Sequence, residues 1–243
     1  MAPRDWRNPA DYADLARLDL ASLAWEFLRR NPQYRAEQAA RTEDSGDGPA
    51  AAARWGLRFP VPPDASADEG PVFWRAEAAP AHVVLLARSA QGGVTGEALA
   101  GRCLARRPAG DGLHLRFADG LQAVIPAAVG LRAPLAAEAA LDADLAARLT
   151  ALGALERLLG GRPPGPDPLP PLSRRRAGLM LRALDARTDG ASYRDVAAQV
   201  LAQPPGEPRA WRTAPARDVA IRLCRSAWRM AGGGYRALLR RRR

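Results

Sequence analysis

The stretch ALDARTDGASYRDVAAQVL, residues 183–201, decides the fold of the C-terminal part of this chain. It reads as the last turns of one helix, a Thr-Asp-Gly corner and a second helix opened by Ser192. Ser192 and Asp195 have the Ser-x-x-Asp spacing of a capping box, in which each side chain satisfies a backbone N–H of the other. Tyr193, Val196, Ala197, Val200 and Leu201 form the apolar stripe of that second helix. Upstream, Ala177, Met180, Leu181 and Leu184 recur at i, i+3, i+4 and i+7. They predict a first helix through RRRAGLMLRALDAR, with Ser173 as its cap. Such a corner occurs both in DNA-binding helix-turn-helix modules and in ordinary helical packing. The charge around it bears on the choice.

All 36 basic residues other than histidine are Arg, with no Lys, and the formal net charge is +10. An Ala-, Arg- and Pro-rich composition of this kind follows from a GC-rich genome, so distribution matters more than total. Residues 172–243 hold 17 Arg against 5 Asp and Glu, while residues 1–171 hold 19 against 21. The positive field belongs to the last 72 residues. It attracts polyanions over about 8 Å at physiological salt.

A third helix is expected from 214 to 230, with Val219, Leu223, Ala227 and Met230 inward and Trp228 near the edge. Arg222, Arg225 and Arg229 share the opposite face, with Arg217 one turn earlier. Guanidinium forks suit guanine edges and phosphates. Arg174, Arg175 and Arg176 crowd the first turn of the first helix, where positive charge opposes the helix dipole, so helix stability does not explain them. The alternative to DNA binding is a solvated basic face on a three-helix corner. The connection AQPPGEPRAWRTAP is far longer than the usual 3–4-residue turn. It is either an expansion of the motif or a separate arm. Trp211 between Arg209 and Arg212 is either an anchor flanked by phosphate contacts or a staple for the loop. The chain ends GGGYRALLRRRR, where glycines stop the third helix and Arg240, Arg241, Arg242 and Arg243 form either a phosphate-binding tail or an incidental one.

Toward the N-terminus, Asp19 caps a helix carrying Leu20, Leu23, Ala24, Phe27 and Leu28, and Asn31-Pro32 ends it and starts another. Glu26 is a structural partner for Arg29 or Arg30 rather than a catalytic acid. TEDSGDGPAAAA reads as a loop. Trp55, Phe59, Phe73 and Trp74 anchor the Pro-rich segment that follows. Leu113, Leu115 and Phe117 alternate, as do Leu121, Ala123 and Ile125, about Asp119-Gly120, which predicts a β-hairpin joined by a strand at 82–88. A helix follows with Leu145, Leu149, Leu152 and Leu159 on or near one face, and Gly160-Gly161 closes it. RPPGPDPLPP, with six prolines in ten residues, is the clearest boundary.

The strings DWRNPADYADL, LAWEFLRRNPQYR, WGLRFP and PVFW resemble the N-terminal transcriptional-regulator domain of RovC-type bacterial regulators. RRRAGLMLRALDAR, GASYRDVAAQVL and WRTAPARDVAIRLCRSAWRMAGGGYRALL resemble the C-terminal DNA-binding domain of that family. The resemblance covers roughly residues 4–75 and 170–240 and rests above all on AWEFLRRNPxYR and GGYRxLL. It implies promoter DNA as partner, a link to type VI secretion or mobile-element genes, and assembly into homo-oligomers. It does not assign base-contacting residues.

The expected fold is α+β, mainly α: an N-terminal helical region with a small antiparallel β-sheet, then a helix-turn-helix-like module. The expected domains are 1–161 (regulation and oligomerisation), 162–171 (linker) and 172–243 (DNA binding). The candidate DNA contacts are Arg174, Arg175, Arg176, Arg194, Arg209, Arg212, Arg217, Arg222, Arg225, Arg229, Arg240, Arg241, Arg242 and Arg243. His82, His114, Cys103 and Cys224 do not have the spacing of a zinc site, and no phosphate-loop, dinucleotide or GxSxG motif occurs. Neither an enzyme nor a cofactor is expected. No apolar run reaches the ~20 residues of a membrane helix, the polar stretch MAPRDWRNPADYADL lacks the apolar core of a signal peptide, and a reducing cytoplasm is the expected compartment. Sequence-independent nucleic-acid binding, nucleoid-associated or to RNA, is the competing function.

Overall fold

The structure, a computed structural model, describes residues 4–41, 48–67, 69–203, 207 and 209–241. The chain forms helices α1 (Leu20–Leu28), α2 (Pro32–Ala39) and α3 (Gly48–Arg54), then strand β1 (Val83–Arg88) and helix α4 (Gly96–Ala100). Strands β2 (Ala105–Ala109), β3 (Gly112–Arg116), β4 (Gln122–Pro126) and β5 (Leu135–Glu138) follow. Helices α5 (Leu145–Leu159), α6 (Pro171–Thr188), α7 (Tyr193–Asp195), α8 (Pro215–Arg229) and α9 (Arg236–Leu239) complete the chain.

Two compact units divide these elements. One comprises residues 1–18, 26–39 and 169–235, the other residues 19–25, 40–168 and 236–243.

In the second unit the alternating runs pair as their pattern predicts, Leu113 opposite Ile125 and Leu115 opposite Ala123. The connection is a three-residue turn, Ala118–Gly120, closed by the Phe117 N–H donating to the Leu121 carbonyl at 2.8 Å. Asp119 and Gly120 take φ of 59° and 73°, the left-handed region these two residue types enter most easily. β1 joins β4 in parallel, not antiparallel, so the sheet is mixed, in order β2-β3-β4-β1-β5. β2 and β5 give little signal in the sequence. β2 is an edge strand, ARRPA, with Arg106, Arg107 and Pro108 exposed, and so lacks the apolar alternation of a half-buried strand. β5, LAAE, pairs with β1 at the other edge. Val84, Leu86, Leu115, Ala123 and Ile125 form one core with Ala151 and Leu155. α5 therefore buries Ala147, Ala151 and Leu155, and Leu149, expected inward, is 56 % exposed. Small Ala side chains let this helix approach the sheet closely, which overrides the leucine count.

The aromatic anchors Trp55, Phe59, Phe73 and Trp74 are all buried. Phe59 and Phe73 meet edge to face at 5.7 Å, beside the His114 ring. Asp19 caps α1 as expected: its Oδ1 accepts the Ser22 N–H at 2.8 Å, and its Oδ2 accepts from Arg116 at 3.1 Å. The segment 42–53 is not loop throughout, because α3 begins at Gly48; residues 42–47 lie outside the described residues.

The first unit gathers α2, α6, α7 and α8 with the chain's start. α6 begins at Pro171, so Ser173 lies inside it and is not its cap. Ala177, Met180, Leu181 and Leu184 are buried. α6 ends as its sequence requires, with Gly190 at φ 80° and the Ala191 N–H donating to the Ala186 carbonyl at 2.9 Å. The capping box forms, with the Asp195 N–H donating to Ser192 Oγ at 3.2 Å and the Ser192 N–H donating to Asp195 Oδ2 at 2.8 Å. The second helix does not run regularly to 201. After α7 it widens into a π-turn, Val196–Val200, whose Gln199 carbonyl accepts a guanidinium N–H of Arg182 at 3.0 Å. In α8 the buried set is Ala220, Leu223, Cys224 and Ala227, while Val219 and Met230 are half-buried. Burial raises the Cys224 thiol pKa. The glycines do not simply stop α8, which opens into a second π-turn, Met230–Gly234, before α9.

Candidate nucleic-acid interface

α8 turns once every 3.6 residues. Burying Ala220, Leu223, Cys224 and Ala227 on one face therefore leaves Arg222, Arg225 and Arg229 exposed on another. α6 likewise turns its apolar stripe inward and leaves Arg175 and Arg176 exposed at its start. The two helices pack together, and the five guanidiniums line one open groove of about 520 Å³ that Leu172, Leu179, Leu201 and Val219 also line. Arg176 Nη2 reaches across to Ser226 Oγ at 3.4 Å.

Among the described residues, Arg175, Arg222, Arg225 and Arg229 make no ion pair. The one acidic residue of α8, Asp218, lies 3.8 Å from Arg217 instead. Like charges held on a common groove repel, and a polyanion entering it relieves that repulsion while releasing counterions. The exposed guanidiniums also keep their five-donor forks available for bidentate contact.

The remaining candidates are distributed differently. Arg174 is half-buried and donates to the Leu18 carbonyl at 2.7 Å. Arg194 is half-buried in α7, and Arg217 is half-buried beside Asp218. Arg209 and Arg212 are exposed on either side of half-buried Trp211, where a short 3-10 turn runs Ala210–Thr213. Arg240 and Arg241 belong to the other unit, and neither is a free tail. Arg240 pairs with Asp144 and donates to the Glu77 carbonyl at 2.9 Å, while Arg241 donates to the Pro168 carbonyl at 2.9 Å. Arg242 and Arg243 lie outside the described residues.

Three polar linkages hold the frame of the groove. Arg30, in the turn after α1, has a nearly buried side chain and grips Asp185 of α6 through Nε at 2.7 Å and Nη2 at 2.8 Å, while its Nη1 donates to Glu26 Oε2 at 2.6 Å. Burial alone would raise the Glu26 carboxyl, but Arg30 and Arg29 hold it down at about 2. The Tyr12 hydroxyl completes the cluster by donating to Asp185 Oδ2 at 2.6 Å. Asn31 does two jobs: its Oδ1 caps α2 by accepting the Gln33 and Tyr34 N–H groups, and its Nδ2 donates to the Ala231 carbonyl of the second π-turn at 2.9 Å. Arg182, 7 % exposed, donates to the Trp6 and Gln199 carbonyls at 3.0 Å each.

The sequence reading missed Arg182 and Asp185 as structural groups. One turn apart on α6, they carry no local signal of that role, since their partners Trp6, Tyr12 and Arg30 lie far away along the chain. Of the aliphatic residues that line the groove, Leu201 and Val219 were read on apolar stripes, whereas Leu172, 81 % exposed, and Leu179 were not singled out.

Residues 139–240 match the family described as "T6SS, Transcription factor, DNA binding domain", the RovC type, and residues 5–60 match the "Proteobacterial transcriptional regulator-like domain". No curated protein was found to match the chain. No helix among the described residues is long and apolar enough to cross a membrane.

Proposed function

We propose that this chain, which carries a RovC-type DNA-binding domain behind a proteobacterial transcriptional regulator-like domain, is a sequence-specific regulator that binds double-stranded promoter DNA. The observation that carries the reading is the groove between α6 and α8, where Arg175, Arg176, Arg222, Arg225 and Arg229 converge. The module acts as an expanded helix-turn-helix. α6 and α7 hold α8, Arg222, Arg225 and Arg229 face base edges and phosphates, and Arg175 and Arg176 grip the backbone beside them. The family description supports type VI secretion genes as targets. Action in the cytoplasm, as a homo-oligomer and without catalysis, belongs to the same proposal.

Fluorescence anisotropy with a promoter fragment, a scrambled duplex and RNA of equal length tests it. The promoter is expected to bind at least about a thousandfold more tightly than the scrambled duplex at physiological salt. Equal affinity for all three probes would instead establish sequence-independent nucleic-acid binding.

A further inference from the structure

The chain has six tryptophans, and Trp6, Trp25, Trp55 and Trp74 are all at most 7 % exposed. Trp211 is half-buried. Trp228 is the exception, 36 % exposed on α8. Packing does not require an indole at that position: the buried face of the helix is already filled by Ala220, Leu223, Cys224 and Ala227. Leaving about a third of so large an apolar residue in water forgoes burial that Trp6, Trp25, Trp55 and Trp74 obtain.

Its neighbours indicate what covers it. Trp228 lies one turn beyond Arg225 and directly precedes Arg229, so the ring borders the arginine face. An acidic polymer is the partner those guanidiniums select. Within DNA, the apolar surfaces available to a ring standing beside a phosphate- or guanine-binding arginine are the deoxyribose, the thymine methyl and the face of an unstacked base. From this juxtaposition we infer that Trp228 is a DNA-contacting residue, packing its indole against sugar and base edge at the border of the footprint that Arg225 and Arg229 set. The inference rests on the DNA-binding reading and adds an apolar contact to an otherwise electrostatic surface. An apolar contact of this kind does not weaken with salt as the guanidinium contacts do, so its share of the affinity grows as salt rises.

The full-length chain titrated with promoter duplex and followed by tryptophan emission tests it. Wild type is expected to show a change in emission on saturation that Trp228→Phe loses, while Trp228→Phe keeps most of the affinity. Trp228→Ala is expected to lose affinity on the order of tenfold, the scale of one aromatic contact to nucleic acid. It should lose it at high salt as well as low, with unchanged circular dichroism. Retention of the emission change in Trp228→Phe, together with wild-type affinity in Trp228→Ala, would overturn the inference and leave DNA binding standing. An emission change that tracks protein concentration without DNA would assign the ring to self-association and overturn it as well. Absence of duplex binding by the wild type would instead remove the DNA-binding reading itself.

Discussion

Arg30 holds Asp185 with two parallel hydrogen bonds, Nε to Oδ1 at 2.7 Å and Nη2 to Oδ2 at 2.8 Å, across 155 residues of chain. The pair joins the segment after α1 to α6, the helix that carries Arg175 and Arg176 at its start. It is mostly buried and has a third partner in Glu26 and a fourth in Tyr12. Removing one member strands the others in a poorly solvated site.

Asp185→Ala should therefore destabilise the chain by about 3 kcal/mol, the cost of taking one partner from a mostly buried ion pair, with Glu26 left as the remaining carboxylate on Arg30. Tyr12→Phe, which removes one hydrogen bond, should cost about 1 kcal/mol. Urea unfolding of the single and double variants checks both values. The double variant should lose less than the sum, because both changes act on the same carboxylate.

Acid sensitivity follows from Glu26. Its folded pKa of about 2 lies below the ordinary 4.5, so the folded state holds the charge where the unfolded chain has already taken a proton. The stabilisation is fully present above pH 4.5 and is lost as pH falls toward 2. Its size is on the order of 3 kcal/mol. Stability measured between those pH values should slope upward with pH in the wild type, and Glu26→Gln should flatten that slope while lowering stability at neutral pH.

The groove arginines should separate by role. Arg225→Ala is expected to relax sequence preference and cost about 1–3 kcal/mol against the preferred site. Arg175→Ala should weaken promoter and scrambled duplex alike and reduce the salt slope by about 1. Anisotropy titrations over a range of salt concentrations distinguish the two, and the reverse pattern would exchange the roles of α6 and α8.

Arg240 should behave as a structural residue. Its exposed pairing with Asp144 and its bond to the Glu77 carbonyl tie α9 to its own unit. Arg240→Ala should cost no more than about 1 kcal/mol of stability. It should leave the salt dependence of DNA binding unchanged, whereas a phosphate-binding residue would lower the slope.

Much of this was legible in the sequence. The capping box at Ser192, the cap at Asp19, the Asn31-Pro32 break, the Asp119-Gly120 turn and the apolar stripe of α6 all depend on nearest neighbours along the chain, which local spacing records. The exposure of Arg222, Arg225 and Arg229 followed from helical periodicity. Less legible were the edge strands β2 and β5, which bury too little to need a pattern, and the face of α5, where close approach to the sheet favours Ala over Leu.

By itself, then, the sequence determined the helices and the hairpin whose caps and apolar stripes are local, and that the positive charge gathers in the last 72 residues. Tertiary structure alone decided which arginines face the same groove. Seventeen guanidiniums look alike in a sequence. Packing sends Arg182 to buried backbone carbonyls, Arg174 to Leu18 and Arg240 to Asp144, while it turns Arg175, Arg176, Arg222, Arg225 and Arg229 toward one another. The reason is that an arginine's partner is set by whichever carbonyl or carboxylate comes within a few ångströms, and those partners lie up to 176 residues away along the chain.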